Sequence, residues 1–289
     1  MIDFDKGQKQ LNKFLGSEKK STILYDGSIY MVKYPDPVRA NKLKGVISYK
    51  NNQFSEHIGS QIFTSCGIEA QETKLGYYTD TSGKRKTVVA CKDFTVDGAV
   101  LYEMDKLANS VAPEEEQLKT TIDNVSRIID ETEQIKDKKA IKDGFWNMFV
   151  VDALIGNRDR HFGNWGILVK DNVVTFAPVY DCGSSLSALL DENEMERLLD
   201  RPGEFKAQTY NVTSAYYMDG KKVHYHEIFK NPPEGLVEAI KRIVPNIHMT
   251  KIHEIVDSAA QMPDIRKDFL KKALTLRYEQ ILLPSLKQA

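Results

Sequence analysis

Cysteine is scarce in this chain. Only Cys66, Cys91 and Cys182 occur in 289 residues, far apart and without metal-ligand spacing, which argues against a disulfide framework and for free thiols in a reducing compartment. An excess of charge of one sign is also missing. Forty Lys and Arg stand against 41 Asp and Glu, a formal net charge of -1, so no global pull toward nucleic acid or an anionic membrane is expected. No apolar run is long enough to span a bilayer, and the opening MIDFDKGQKQ lacks the apolar stretch of a signal peptide. The expected location is cytoplasmic, with export that uses no cleavable signal left open. Repeats of fixed period and low-complexity tracts are absent too. What remains is ordinary globular composition, 41% hydrophobic and 28% charged, with length enough for one large domain or two lobes.

The first hundred residues read mostly as strands. STILYDGSIYMVKYP holds two β-rich runs joined at Asp26-Gly27, a dipeptide suited to a tight hairpin. NNQFSEHIGSQIFTSCGI repeats apolar residues at Phe54, Ile58 and Ile62 and meets Gly67, which predicts one amphipathic helix and its stop. AQETKLGYYTDTSGKRKTVVACKDF reads as a second hairpin. Beyond residue 95 the character changes. APEEEQLKTTIDNVSRIIDETEQIKDKK suggests a solvated helix or connection, and AIKDGFWNMFVVDALIGN a buried helix ending near Gly156. WGILVKDNVVTFAPVYD reads as two short strands and YYMDGKKVHYHEIF as another hairpin, on which His224 and His226 would share a strand face without a third metal ligand. From about residue 233 the chain reads as helix. The expected fold is α+β: a small β-rich lobe over residues 1–95 and a larger, mainly helical lobe over 96–289, with a nucleotide-sized ligand between them.

One short stretch concentrates the chemistry. In NRDRHFGN, Asp159 follows the buried helix and Asn164 follows five positions later, so a loop brings a carboxylate and an amide to one small volume. The next two strands end at YDCG, and a hairpin returns its ends to one place, which puts Asp181 beside them. Two carboxylates and one amide oxygen are hard ligands that suit Mg²⁺ when phosphates complete its shell. Phosphoryl transfer needs a metal against oxygen charge, a fixed cation on the phosphates and a carboxylate near the attacking hydroxyl. Asp159 suits the last role, and Asn164 and Asp181 the metal. Arg160 and His161 suit either a contact to the transferred phosphate or an anchor for the loop.

These residues resemble a known family. The spacing from Asp159 to Asn164 is similar to a protein-kinase catalytic loop, and Asp181-Cys182-Gly183 to the metal-binding Asp-Phe-Gly. The fuller pattern of Asn157, Asp159, His161 and Asn164, followed by FAPVYD, resembles the HipA-type serine/threonine kinases, including their small CtkA-like members. The resemblance implies a protein-kinase-like bilobal fold, ATP and Mg²⁺ as cofactors, and a protein substrate with a Ser or Thr acceptor. Autophosphorylation and an antitoxin-like protein partner are further implications. By the same likeness Lys33 in SIYMVKYP would hold the ATP phosphates, Glu56 would pair with it, and backbone groups from Cys91 through Lys92 to Asp93 would meet adenine. Glu56 lies off the Phe54, Ile58, Ile62 stripe, so it faces a different surface from the packed one. A Gly-x-Gly-x-x-Gly loop is missing; LGSEKKST, with Gly16, Ser17, Lys19, Lys20 and Ser21, is the nearest phosphate-binding candidate.

Two other functions share the pattern. Phosphoinositide kinases also carry Asp-Arg-His-x-x-Asn, so a lipid or small-molecule hydroxyl is an alternative acceptor. A nucleotide-holding pseudokinase, or the binding half of a toxin–antitoxin pair, is the alternative from another class, and the intact Asp159, Asn164 and Asp181 weigh against it. No helix-turn-helix signal or basic stripe supports direct binding of nucleic acid.

Overall fold

The computed structural model describes residues 2–11, 20–35, 51–79, 83–112, 119–218 and 220–289. Its first part is a six-stranded sheet built from β1 (Ile2–Asp3), β2 (Gln8–Gln10), β3 (Lys20–Tyr25), β4 (Ser28–Lys33), β5 (Thr73–Thr79) and β6 (Arg85–Lys92), in the order β1-β5-β6-β4-β3-β2. Asp26 and Gly27 both take positive φ, 48° and 71°, which is the turn that matches the natural strand twist and fixes Lys20 opposite Lys33. One face of this sheet packs Phe4, Ile23, Tyr30, Val32, Tyr34, Val88 and Ala90 into a small core. Against the sheet lies α1 (Asn52–Ser65), stopped before Gly67 at φ 79°. The predicted hairpins and helix are therefore present; β1 and β2 were not expected, since strands of two and three residues are too short to show a period.

The remainder is mainly helical. The strand β7 (Val100–Glu103) leads into α2 (Met104–Val111), α3 (Ile122–Glu131) and α4 (Lys138–Ile155). Thr121 caps α3, whose Val125, Ile128 and Ile129 are buried, so the described part of the acidic stretch packs one face on the core instead of lying in solvent. Asp137 caps α4, and Gly156 ends it in the left-handed region. Next come β8 (Gly166–Lys170) and β9 (Val173–Phe176), which β7 joins in an antiparallel sheet ordered β7-β8-β9. They are followed by α5 (Glu192–Leu199), α6 (Pro202–Tyr210), the pair β10 (Thr213–Met218) and β11 (Lys221–His224), α7 (Tyr225–Lys230), α8 (Glu234–Ile243), α9 (Met249–Ser258), α10 (Asp264–Arg277) and α11 (Leu283–Gln288).

His224 and His226 are not strand neighbours. The strand ends at His224, and His226 lies in the first turn of α7, stacked on Tyr210. Glu227 reaches back to the His224 N–H, a local bond that starts a helix where alternation suggested a strand. The described residues contain no group of three or more His, Cys, Asp or Glu able to hold a metal. Among them, no helix is long and apolar enough to cross a membrane.

The large core centres on α4 and reaches into α1, so the helix beside the sheet also belongs to the helical lobe. Phe145, Trp146 and Phe149 are core residues, and Phe149 has Tyr216, Tyr225 and Phe229 as ring neighbours. Phe149→Ala is expected to cost about 3–5 kcal/mol, read as a lowered midpoint in urea unfolding.

Candidate active site

The carboxylate that organises the site comes from inside α4. Asp152 sits fully buried in the apolar run MFVVDALI and receives Arg160 Nε at 2.9 Å and its second amino group at 3.2 Å, together with Asn157 Nδ2 at 3.0 Å. Arg160 is fully buried as well. Its remaining amino group donates to the carbonyls of Asn164, at 2.7 Å, and Tyr180. Burial works against the Arg160 charge, yet Asp152 outweighs it and holds the guanidinium well above its usual value. Arg160 is thus an anchor that ties both ends of the loop, and the strand exit at Tyr180, to α4.

The loop that this pair shapes presents Asp159. Asn157 Oδ1 accepts the Asp159 N–H at 3.1 Å, Asn164 Nδ2 donates to the Asp159 carbonyl at 2.7 Å, and the Asp159 carboxylate is left 55% exposed. Since its amide nitrogen is engaged, Asn164 has Oδ1 free for a cation. His161 accepts the Gly163 N–H on Nδ1 at 3.0 Å, so its neutral ring carries hydrogen on Nε2, which faces Asp159 Oδ1 at 3.9 Å.

From the sheet, Lys33 connects the two lobes. Its Nζ lies 2.9 Å from Glu56 Oε2 and 3.0 Å from Asp181 Oδ1. Glu56 is 1% exposed, and its other oxygen accepts the Cys182 N–H at 3.1 Å. So Glu56 does lie off the apolar stripe, but it turns inward to a lysine and a backbone amide. Burial opposes the Lys33 charge, while Asp181 and Glu56 raise its pKa well above the lysine norm. For Asp181 burial acts upward, and Lys33 outweighs it to hold the carboxyl below its usual range. Asp181 takes φ 56°, a left-handed conformation that a non-glycine residue adopts at some cost.

The expected phosphate and adenine contacts divide. Gly16, Ser17 and Lys19 lie outside the described residues. Lys20 and Ser21 open β3 instead of a loop. Lys20 is the direct cross-strand partner of Lys33, so it shares the cleft face, and its charge reaches Asp181. Ser21 alternates to the opposite face and accepts the Tyr34 hydroxyl at 3.1 Å, which removes it from the cleft. The Lys92 and Asp93 N–H groups donate to Glu72 O and Ile29 O, and the Lys92 carbonyl accepts Gln71 Nε2. Sheet pairing therefore occupies backbone groups expected for adenine, and Cys91 is an interior β6 residue paired with both Met31 and Thr73. After β6, Asp93 accepts Thr95 N and Oγ1 at 2.9 and 2.6 Å, and Phe94 packs near Tyr180.

A family model described as the HipA-like C-terminal domain matches residues 14–251. The chain belongs to this family. The serine/threonine-protein kinase CtkA of Helicobacter pylori strain J99 is 37% identical over 269 residues, covering 91% of this chain and 80% of that protein. The crystal structure of a Helicobacter pylori proinflammatory kinase CtkA aligns with TM-score 0.89 at 34% identity, over 99% of this chain and 98% of that one. HipA of Shewanella oneidensis MR-1, in a structure with HipB and operator DNA, aligns with TM-score 0.58 at 14% identity over 98% of this chain and 68% of that one, a likeness of fold. The protein is a HipA-like serine/threonine protein kinase with a kinase-type bilobal fold.

Sequence reasoning did not single out Asp152. Its signal is a lone carboxylate amid apolar residues, which must find a buried partner. Arg160→Met is expected to destabilise the protein by about 3–5 kcal/mol, because Asp152 remains buried and unpaired; urea unfolding measures it. The double variant Asp152→Leu, Arg160→Met recovers stability but leaves the Asn164 and Tyr180 carbonyls without their donor, so activity stays low.

The Lys33 pair also fixes a pH window. Contribution from Asp181 is present above its unfolded pKa of about 3.9 and lost as pH falls through the lower folded value; that from Lys33 is present below about 10.4 and lost as pH rises through the higher folded value. The stability difference between wild type and Lys33→Met is therefore expected to stay constant from about pH 5 to about pH 9.

Proposed function

We propose that this kinase transfers the γ-phosphoryl group of ATP to a Ser or Thr hydroxyl of a protein, with Asp159 as the carboxylate that receives the hydroxyl proton. The observation that carries this reading is that Arg160 bonds both the Asn164 and the Tyr180 carbonyl, which ties the loop of exposed Asp159 and Asn164 to the residue before Asp181, itself paired with Lys33 of the sheet. The acceptor oxygen bonds to the γ-phosphorus, the bond to the β,γ-bridging oxygen breaks, ADP leaves with that electron pair, and the hydroxyl proton passes to Asp159.

Lys33, held in place by Glu56, contacts the phosphates in this proposal, and Lys20 adds a second cation on the same sheet face. The residues fit magnesium: Asn164 Oδ1 and Asp181 are hard oxygen donors, and the second Asp181 oxygen is not the one bonded to Lys33. Bound there, Mg²⁺ would offset charge on the phosphate oxygens. Asp159 orients the acceptor, and His161, fixed through Nδ1, turns its Nε2 toward that carboxylate. With the N–H groups of Lys92 and Asp93 bonded to Glu72 and Ile29, adenine is assigned to the connection after β6, beside Phe94 and Tyr180. The lobe boundary at residues 95/96 belongs to this reading. An antitoxin-like partner enters it only by likeness to the HipA proteins.

The test is incubation with Mg²⁺ and γ-labelled ATP, with and without casein as a generic acceptor. Asp159→Asn is expected to lower transfer by about 10²–10⁴-fold, with ATP affinity retained. Wild-type levels of label in the variant would refute the assignment of Asp159. Mass spectrometry of labelled wild type then identifies the modified hydroxyl and any autophosphorylation.

A further inference from the structure

The catalytic loop hangs from the end of α4, and a buried cation not used in the chemistry above sits against that end. Arg277, the last residue of α10, is 2% exposed. Its Nε donates to the Thr209 carbonyl at 3.0 Å, and a terminal amino group donates to the Leu154 carbonyl at 2.9 Å. Thr209 lies in the last turn of α6 and Leu154 in the last turn of α4, where carbonyls lack intrahelical donors and partial negative charge collects.

The packing at this point leaves no slack. A Cβ on Gly156 would stand 2.9 Å from the Arg277 guanidinium carbon, and Gly156 already takes φ 66°. Among the described residues Arg277 has no carboxylate partner. The charged and titratable groups that face it are Arg158 from the loop and Tyr225 from α7, whose hydroxyl donates to the Asn157 carbonyl at 2.7 Å. Burial first, and Arg158 second, pull its pKa below the guanidinium norm. Two helix ends thus stand in for a counter-ion, at the residue from which the chain departs toward Asp159.

We propose that Arg277 is a positioning residue for phosphoryl transfer, joining the ends of α4 and α6 and so fixing the root of the loop that carries Asp159. This rests on the reading of Asp159 as the catalytic carboxylate. The Asp152–Arg160 pair sets the shape of the loop; Arg277 sets where that shape begins. Misplacement of a reacting group by about 1 Å costs on the order of 10²-fold in rate.

Arg277→Met and Arg277→Lys are to be compared with wild type for thermal midpoint, Mg·ATP affinity by calorimetry, and kcat on casein from about pH 6 to about pH 10, with circular dichroism verifying the fold in each assay. The Met variant is expected to lose on the order of 10²-fold in kcat while its ATP affinity stays close to wild type. Arg277→Lys restores most of kcat at neutral pH. A lysine buried without a carboxylate has a lowered pKa, so the charge is lost as pH rises and kcat declines at lower pH than in wild type. Wild-type kcat in the Met variant, or a wild-type pH profile in the Lys variant, overturns the proposal and leaves Arg277 a packing residue. Should the Met variant not fold, the pH profile of the Lys variant decides. Failure of the underlying reading looks different: wild type transfers no label, or Asp159→Asn transfers as well as wild type.

Discussion

The ion pair between Asp152 and Arg160 is the constraint on which the site depends. Two charges with no exposure to water are expensive, and the cost is offset because all three guanidinium nitrogens of Arg160 and both carboxylate oxygens of Asp152 are hydrogen-bonded. Arg160 reaches one carboxylate and two backbone carbonyls, and Asn157 joins the same carboxylate. The pair therefore does more than stabilise. It holds Asn157 and Arg160 of the loop proposed for catalysis, its far end at Asn164 and the residue before Asp181 at fixed separations from a rigid helix, which is what a reaction that runs on positioning and electrostatics requires.

A second set of contacts brings the sheet to this platform. Lys33 bonds to Glu56 from α1 and to Asp181 from the segment after β9, so three distant parts of the chain meet at one ammonium group. Asn51, at the N-cap of α1, gives its backbone N–H to the Ala188 carbonyl, and Ser55 of α1 gives its hydroxyl to the Ser185 carbonyl. Gln71 and Val179 add a bridge between the connection after α1 and the strand exit. The two lobes are thus joined through the segment that carries Asp181.

Much of this could be read in the residues. Hairpins at Asp26-Gly27 and at the Lys170-Asp171-Asn172 turn, and helices ending at Gly67 and Gly156, follow from local rules about positive φ and apolar spacing. The concentration of Asp159, His161 and Asn164 in one loop was legible for the same reason, since it is local in sequence. Long-range pairing was not: the parallel contact of β1 with β5 and the addition of β7 to the β8–β9 sheet have no signature in four residues or fewer. Strand register decided the fate of Lys20 and Ser21, because a shift of one position changes the face. The buried polar groups were the hardest to see. Asp152 and Arg277 act through partners eight and 123 positions away, and their value lies in a network that the sequence lists but does not connect.

If the site works as proposed, a metal-bound triphosphate lies between Lys33 and Asp159 with its γ-phosphate at the loop. A crystal structure with a non-hydrolysable ATP analogue and Mn²⁺, located by anomalous scattering, tests it most directly. The prediction is metal within bonding distance of Asn164 Oδ1 and an Asp181 oxygen, phosphates at Lys33 and Lys20, and the γ-phosphorus facing Asp159. Metal bound away from both Asn164 and Asp181, or a γ-phosphate remote from Asp159, would contradict it.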